Sequence, residues 1–247
     1  MRILQLPTAT STSRVAADLG DEAEHGLVVN TDCQTAGRGQ RGNTWEAEPG
    51  RNLTFSLVLR PGHWPAVRQF ELSMVAAVAV AEAVEKLLGP DHRVTVKWPN
   101  DIYVGDRKIC GILFENTLSG QYLQRVIIGI GVNINQRRFL SDAPNPVSVF
   151  QLTGTEHPLP QALNLVASAV IDAVDAYVAN PEPENMSAGY HARLYRNDGA
   201  LHPWRDAATG HEFQASILHV APTGHLSLSV PGEAAPRTYA FKEVTWL

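Results

Sequence analysis

The stretch Lys97-Trp98-Pro99-Asn100-Asp101 ends a short β-branched run and carries the most specific fold signal in the chain. Pro99 fixes its own φ angle and has no backbone N–H, so the strand predicted over 94–98 gives way to a turn. A lysine just before such a turn can be held as a point charge that faces a pocket. The alternative is a structural turn with a solvated lysine.

Strands are predicted on the C-terminal side of this turn. Gly105-Asp106 is a strong hairpin signal between strands predicted over 102–104 and 108–115, and a long β-branched strand is predicted over 122–134. Glycines interrupt both long strands, at Gly111 and then at Gly129 and Gly131. A glycine inside a strand marks a bulge, the close approach of a ligand, or crowding by a neighbouring side chain.

On the N-terminal side, strands and helices are predicted in turn. The predicted strands cover 2–6, 27–31 and 52–59, and the predicted helices cover 10–19 and 65–88. Two more helices are predicted around 163–177 and 184–195. After residue 199 the pattern changes to short strands over 211–220, 225–230 and 237–244, which predicts a small β-barrel module. The whole pattern predicts an α+β fold with two domains, residues 1–195 and 196–247.

The segment Gly37-Arg38-Gly39-Gln40-Arg41-Gly42 matches the letters of a dinucleotide-binding loop but lacks its context. That motif requires a helix at the third glycine and an acidic residue about twenty positions later, whereas another strand follows here without such an acid. What remains is a glycine loop with two arginines, which bind phosphate and carboxylate groups in a bidentate way. The alternative is a solvated loop with incidental arginines.

Composition excludes several classes of protein. The 247 residues carry a formal net charge of −5, which argues against sequence-independent nucleic-acid binding. The 2 cysteines cannot form a disulfide framework, and the 9 histidines show no metal-ligand spacing. The N-terminus does not resemble a signal peptide, and the apolar run over 74–81 stops at Glu82, too short for a bilayer. We therefore expect a cytoplasmic protein with no membrane partner.

Five motifs in a fixed order closely resemble the catalytic core of biotin protein ligases. They are a hydroxyl cluster at 11–13, Gln34 with the glycine loop, the 97–101 stretch, the Lys-x-x-Gly strand at 108–111 and Gly-x-Gly-Val-Asn at 129–133. The resemblance is strong over 3–135 and weaker beyond, where the last fifty residues resemble the family's small SH3-like domain. It implies a mixed sheet packed with helices, similar to the core of class II aminoacyl-tRNA synthetases.

The resemblance implies an ATP-dependent ligase that uses Mg²⁺. Such enzymes form biotinyl-5′-AMP and pass the biotinyl group to one lysine of a biotin carboxyl carrier protein domain. The resemblance makes Arg38 and Lys97 the catalytic residues, with no metal held by the protein alone. The implied biotin-binding residues are Ser11, Thr12, Ser13, Gln34, Gly37, Arg38, Gly39, Gln40, Lys97, Gly111, Gly129 and Gly131. The implied ATP-binding residues are Arg38, Arg41, Trp45, Lys97, Asn100 and Asn133.

Three features depart from the family's pattern. Gln40 and Asn43 stand where arginines are common, so we expect the adenylate to leak faster than it would with arginine at position 40. Ser13 stands where asparagine is common. The sequence also starts at the catalytic core, so we expect no helix-turn-helix domain and no repressor function. A homodimer formed by sheet extension is usual in the family.

Two other functions compete with the biotin ligase. A lipoate or octanoate ligase or transferase shares the core fold and the acyl-to-lysine chemistry, although the glycine–arginine loop and the 97–101 stretch favour biotin. A biotin-sensing protein without transfer activity is the alternative outside enzymes, and the retained Arg38 and Lys97 argue against it.

Overall fold

A computed structural model describes residues 1–39, 44–141 and 143–247 of the chain. Its main element is a seven-stranded sheet with the order β1-β2-β3-β7-β6-β5-β4. The β1–β2 pair is parallel and every other pair is antiparallel, so the predicted mixed sheet is confirmed. The strands are β1 (Arg2–Ala9), β2 (Leu27–Gln34), β3 (Leu53–Leu59), β4 (Val94–Lys97), β5 (Asp101–Val104), β6 (Arg107–Ser119) and β7 (Tyr122–Val132).

The two faces of β3, the third strand in the sheet, differ in character, since one is apolar and the other is partly polar. Every residue of β3 is buried, as expected of a strand covered on both sides. Phe55 and Leu57 belong to the main hydrophobic core, whereas Val58 belongs to a smaller core beneath the first helix. Because side chains alternate along a strand, Thr54 and Ser56 share the second face with Val58.

Helices cover both faces of this sheet. They are α1 (Thr12–Asp18), α2 (Gln69–Leu88), α3 (Val149–Thr153), α4 (Leu159–Ala179) and α5 (Pro183–Ala192). Small α1 packs on β2, β3 and β7, while α2 and α4 pack on each other over the main core. The helix predicted from Pro65 begins instead with a 3-10 turn, Ala66–Arg68, and becomes α-helical at Gln69. The five-residue α3 was not predicted, because it is too short to show a period.

Helix α4 is long and apolar, a feature that the sequence patterns did not single out. By length and apolar composition, Leu159–Ala179 is the one helix among the described residues that could cross a bilayer. Its apolar stripe, which includes Leu163, Val166 and Val170, is nevertheless buried in the main core. Burial along one stripe is typical of a core helix rather than of a segment surrounded by lipid.

The C-terminal segment forms a second, five-stranded antiparallel sheet with the order β11-β10-β9-β8-β12. Its strands are β8 (His202–Asp206), β9 (Glu212–Val220), β10 (Leu226–Ser229), β11 (Arg237–Tyr239) and β12 (Val244–Trp246). The sheet ends at β11 and β12 and is not closed, so the predicted barrel is barrel-like only. The single strand predicted over 237–244 is also wrong, because a turn around Lys242, whose φ is 72°, divides it in two.

Strand β8 was not predicted from the sequence. The domain boundary at 195/196 stays a prediction. Trp204 of β8 is fully buried, and the second sheet shares the main hydrophobic core with the first. The two sheets also meet directly, since the Nε1 of Trp98 donates to the carbonyl of Gly224 at 3.0 Å. The Trp98 ring packs edge-on against Phe241, with centroids 5.9 Å apart.

Candidate functional site

A cavity of about 1010 Å³ opens between the polar face of the main sheet and the C-terminal sheet. It brings together most of the residues singled out in the sequence. Those that line it are Ser11, Thr12, Ser13, Gln34, Arg38, Gly39, Trp45, Lys97, Asn100, Gly111, Gly129, Gly131 and Asn133. Gly37 is not among the lining residues, and Gln40 and Arg41 lie outside the described residues. The ligand that each of these residues would bind stays a prediction.

One end of the cavity is a network of hydroxyl and amide groups. The Oε1 of Gln34 accepts a hydrogen bond from the backbone N–H of Thr12 at 2.9 Å. The hydroxyls of Thr12 and Ser13 lie 2.8 and 3.0 Å from the Oγ of Ser56, which is completely buried. Ser11 stands at the N-cap position of α1 but makes no capping bond. This cluster therefore lines the cavity, and the hydroxyl of Ser11 does not cap the helix.

Lysines and an aspartate form a second group at the end of β4. Lys97 and Asp101 are register partners in the β4–β5 hairpin. The Nζ of Lys108 lies 2.6 Å from the Oδ2 of Asp101, and both side chains are about one-third exposed, at 30% and 33%. All three residues line the cavity. One carboxylate thus stands between two ammonium groups, leaving the group with a net positive charge that an anionic ligand could neutralise.

The surroundings of Lys97 lower the pKa of its ammonium group. Its Nζ lies 3.4 Å from the hydroxyl of Tyr103 and 4.8 Å from the centroid of the Tyr103 ring. Burial lowers the pKa of Lys97; Asp101 opposes this effect, whereas Arg196 and Lys108 add to it. Burial also raises the pKa of Tyr103, to about 12, so its phenol stays neutral. An anion bound beside Lys97 would counter the effects of burial, Arg196 and Lys108 and would stabilise its charged form.

Arg38 adds a further cation to the same cavity. It follows β2, whereas Lys97 ends β4 at the far edge of the sheet. Its Nη2 lies 3.3 Å from the Oε1 of Glu115 on β6, and the Arg38 side chain is 48% exposed. An exposed ion pair of this kind contributes little to stability, so the guanidinium can exchange Glu115 for a ligand at small cost. Arg38 and Lys97 thus line one cavity, as the sequence interpretation required.

The strand glycines have neighbours that the sequence did not reveal. Gly111 and Gly131 are register partners on β6 and β7, and the indole of Trp45 lies on this pair. A Cβ at Gly131 would stand 2.4 Å from the Cε2 of Trp45, and one at Gly129 would stand 2.8 Å from the Oγ of Ser13. The resemblance implies that these glycines bind biotin, whereas the sequence alone leaves a bulge, a ligand and crowding by a neighbouring side chain open. In the structure they make room for Trp45 and Ser13, which form the cavity floor.

Sequence reasoning missed several residues of this cavity. Lys108 stood in the quoted Lys-x-x-Gly strand without being chosen, and Asp101 ended the 97–101 stretch. Ser56 lies behind the cavity lining, and together with Thr54 it interrupts an otherwise apolar strand, which is a usable signal for a buried polar network. Phe241 and Trp246 also line the cavity. They come from the C-terminal sheet, and no local pattern shows that this sheet folds back onto the core.

The described residues contain no group of three or more His, Cys, Asp or Glu side chains that could hold a metal ion. Among the residues that the structure describes, two carboxylates line the cavity, and both have partners: Asp101 binds Lys108, and Glu46 accepts from backbone N–H groups. Mg²⁺ is usually bound by one or two carboxylates together with substrate phosphates. The described carboxylates of the cavity fit that mode of binding.

Comparison with known families gives a match over residues 6–133 to the biotin/lipoate A/B protein ligase family. A relative from Paracoccus denitrificans, named biotin--[acetyl-CoA-carboxylase] ligase, is 40% identical over 168 residues, which is 66% of this chain and 69% of the relative. The bifunctional ligase/repressor BirA of Bacillus subtilis (strain 168) is 39% identical over 129 residues. That alignment covers 52% of this chain and 39% of the relative, so the chain matches well under half of that protein's length.

Solved structures resemble this chain in fold over nearly its whole length. The biotin protein ligase of Aquifex aeolicus in complex with biotin and ATP superposes with a TM-score of 0.79, covering 99% of this chain and 97% of that one, at 21% identity. The biotin protein ligase of Leishmania major in complex with biotinyl-5-AMP superposes with a TM-score of 0.68 at 20% identity, covering 97% and 98% of the two chains. At such identities the likeness shows the fold alone.

Proposed function

Because the chain belongs to the biotin/lipoate A/B protein ligase family, we propose that it is an ATP-dependent biotin–protein ligase. It activates biotin as biotinyl-5′-AMP and transfers the biotinyl group to a lysine of a biotin carboxyl carrier protein domain. The observation that carries the proposal is the single cavity with a hydroxyl–amide network and a group of cations in its walls. Similarly named relatives support the choice of biotin.

The hydroxyl–amide network favours biotin over lipoate. A ureido ring has one acceptor and two donors, which Ser11, Thr12 and Gln34 can match in the cavity wall. The dithiolane ring of lipoate has no such groups and would leave the remaining hydrogen-bonding capacity of these side chains unused. A site built to hydrogen-bond its substrate rejects an analogue that lacks the bonding groups, because unpaired buried polar atoms are costly.

The cations would reduce the repulsion between the two anionic reactants of the first step. A carboxylate oxygen of biotin attacks the α-phosphorus of ATP, a P–O bond to the β-phosphate breaks, and pyrophosphate leaves with the bonding electrons. Both reactants are anions, so they repel each other until cations stand between them. Arg38, Lys97 and Lys108 face the cavity where these groups would meet, and they would stabilise the charge that builds at phosphorus.

Mg²⁺ belongs to this proposal as part of the nucleotide. It would enter on the ATP phosphates, with Asp101 as the cavity carboxylate that would hold it, and it would neutralise phosphate charge. The second step needs no metal from the protein. The acceptor lysine, as a neutral amine, attacks the carbonyl carbon of the mixed anhydride, AMP leaves, and an amide forms. We place this activity in the cytoplasm, where ATP is available.

Intact-mass spectrometry of an isolated biotin carboxyl carrier domain tests the proposal. After incubation with the protein, biotin and Mg·ATP, the mass of the carrier should rise by one biotinyl group. A carrier whose acceptor lysine is replaced by arginine is the control, and its mass should not change. An unchanged wild-type carrier would overturn the proposed transfer.

Two binding measurements separate the alternatives. Isothermal titration should show binding of biotin and none of lipoate at the same concentrations, whereas a lipoate or octanoate enzyme would show the reverse. Pyrophosphate exchange into ATP that depends on biotin distinguishes a ligase from a biotin sensor, because a sensor without activation chemistry shows no exchange.

A further inference from the structure

Beyond the cation groups, one carboxylate of the cavity wall has an unusual set of partners. Glu46 follows Trp45 directly, and its Oε1 accepts a hydrogen bond from the backbone N–H of Leu140 at 2.8 Å. Its Oε2 accepts from the backbone N–H of Ser141 at 2.9 Å. A single carboxylate therefore holds two successive backbone donors of a segment more than ninety positions away in sequence.

A buried amide strengthens the contact between Glu46 and this segment. Gln136, only 1% exposed, donates from Nε2 to the Oε1 of Glu46 at 3.2 Å. The Oε1 of Gln136 accepts from the backbone N–H of Glu48 at 3.1 Å and from the side-chain amide of Asn52. Burial raises the pKa of Glu46, but the hydrogen bonds from Ser141, Leu140 and Gln136 outweigh this effect and lower the pKa, so the carboxylate is ionised at neutral pH. Hydrogen bonds to an ionised acceptor are about twice as strong as neutral ones.

The segment held in this way is a wall of the cavity, which we call the wall segment, residues 137–141. It lies outside the helices and strands, so its position depends on such side-chain bonds. Phe139 and Ser141 line the cavity, while Leu140 between them is 90% exposed. Without Glu46, the N–H groups of Leu140 and Ser141 would turn to water, and nothing in the segment's own backbone would replace the lost bonds.

The other side of the junction is the cavity floor. Trp45 is bonded covalently to Glu46, and its indole lies on Gly111 and Gly131. The indole Nε1 is buried without a hydrogen-bond partner among the described residues. Glu46 thus joins the floor and the wall segment into one unit, and a displacement of either one strains the bonds to the other.

We propose that Glu46 is a positioning residue that ties the wall segment to Trp45, so that both keep their place around the adenylate and retain it. This inference rests on the proposed function, since it needs an adenylate in the cavity. Enclosure keeps a mixed anhydride from water until the acceptor lysine arrives, and it slows release of the free intermediate. The network leaves the hydroxyl end of the cavity untouched, so binding of biotin alone should depend little on Glu46.

The experiment measures how long the preformed adenylate stays bound. Protein is incubated with labelled biotin and Mg·ATP without a carrier, passed rapidly through a desalting column, and sampled for free biotinyl-5′-AMP and its hydrolysis products. We expect Glu46→Ala to shorten the retention half-time at least about tenfold, because three charge-assisted bonds are lost. It should also raise KM for ATP more than it lowers kcat in pyrophosphate exchange. Glu46→Gln keeps one acceptor oxygen and should give an intermediate half-time.

Glu48→Ala is the matched control. It removes the same charge two residues away, and within the described chain the Glu48 side chain makes no hydrogen bond to the wall segment. It should retain the adenylate as the wild type does. Equal retention in the wild type and both Glu46 variants would overturn the positioning role, and so would a Glu48→Ala half-time as short as that of Glu46→Ala. A wild type that forms no adenylate would instead overturn the proposed function, and this role with it.

Discussion

The indole of Trp45 lies against the backbone of Gly131, in the space that a side chain at that position would fill. A Cβ there would stand 2.4 Å from Cε2, 2.6 Å from Nε1 and 2.7 Å from Cζ2 of the indole. Gly111, across the β6–β7 pair, is less crowded, with the nearest indole atom 3.1 Å from its Cβ position. The glycines therefore shape the cavity floor through Trp45.

The crowding predicts a graded effect of alanine substitution. Gly131→Ala should displace Trp45 and raise KM for biotin or ATP in pyrophosphate exchange strongly, and Gly111→Ala should do so less. Gly189→Ala in α5 is the control, because its Cβ would have nothing within 4 Å, and alanine should stabilise this helix by about 1 kcal/mol. An effect of Gly111→Ala as large as that of Gly131→Ala would contradict this account of the floor.

Ser56 offers a test of the hydroxyl network. Its buried hydroxyl lies within hydrogen-bond distance of both Thr12 and Ser13, but it does not line the cavity. We expect Ser56→Ala to raise KM for biotin about five- to tenfold while leaving KM for ATP nearly unchanged, because the loss of a bond costs about 1 kcal/mol. Steady-state exchange kinetics with each substrate varied in turn measure both constants. Equal increases in the two values would indicate a general loss of structure instead.

The lowered pKa of Lys97 predicts a pH profile. Lys97 serves as a cation, so activity should fall as pH rises through its pKa, and this fall should come at lower pH than for an ordinary lysine. Because kcat/KM reports the free enzyme, kcat/KM for biotin in exchange is the quantity to follow. Lys97→Arg keeps its charge to higher pH and should move the fall upward, even where its activity is lower. An unmoved alkaline limb would assign the titration to another group.

A buried ion pair far from the cavity predicts how stability depends on pH. Glu71 is 3% exposed and accepts hydrogen bonds from the Nε and Nη2 of Arg68 at 2.8 and 2.6 Å and from Tyr177 at 2.7 Å. Burial raises the pKa of Glu71, but the bonds from Arg68 and Tyr177 outweigh it, and the pKa is lowered. A carboxyl group whose pKa is lower in the folded state than in the unfolded state stabilises the fold at pH values above its unfolded-state pKa. This stabilisation is lost as pH falls through the folded-state pKa.

We therefore expect denaturant unfolding to show a loss of stability on acidification below about pH 5, and Glu71→Gln to remove part of that dependence. At pH 7 the substitution should cost about 1–3 kcal/mol, because it leaves buried donors without their ionised acceptor. The control Glu82→Gln lies on the same helix, is 54% exposed, and should change stability by less than about 0.5 kcal/mol. Parallel acid limbs in wild type and Glu71→Gln would refute the role of Glu71.

Much of the fold could be predicted from periodicity because the main elements are long. Strand β7 and helices α2 and α4 each bury an apolar pattern over ten or more residues, and their predicted positions differ from the observed ones by a few residues. Short elements were the difficult ones. The five-residue β8 contains a proline, and the turn at Lys242 bears no glycine to mark its left-handed conformation.

The candidate site was predictable only where local motifs carry it. Arg38, Lys97 and the hydroxyl cluster stand in recognisable motifs, and the structure brings them to one cavity. Glu46 stands in no such motif, because its partners lie more than ninety residues away and depend on how two irregular segments meet. Contacts of this kind are set by tertiary packing, which no short pattern encodes.

The central claim is that Arg38 and Lys97 bring a carboxylate and a phosphate together in one cavity. Biotin-dependent exchange of labelled pyrophosphate into ATP tests it most directly, since the assay needs no carrier protein. The account predicts exchange by the wild type that requires biotin, and a loss of at least about a hundredfold in Arg38→Ala and Lys97→Ala, with both variants folded by circular dichroism. Exchange at the wild-type rate in both variants would contradict it.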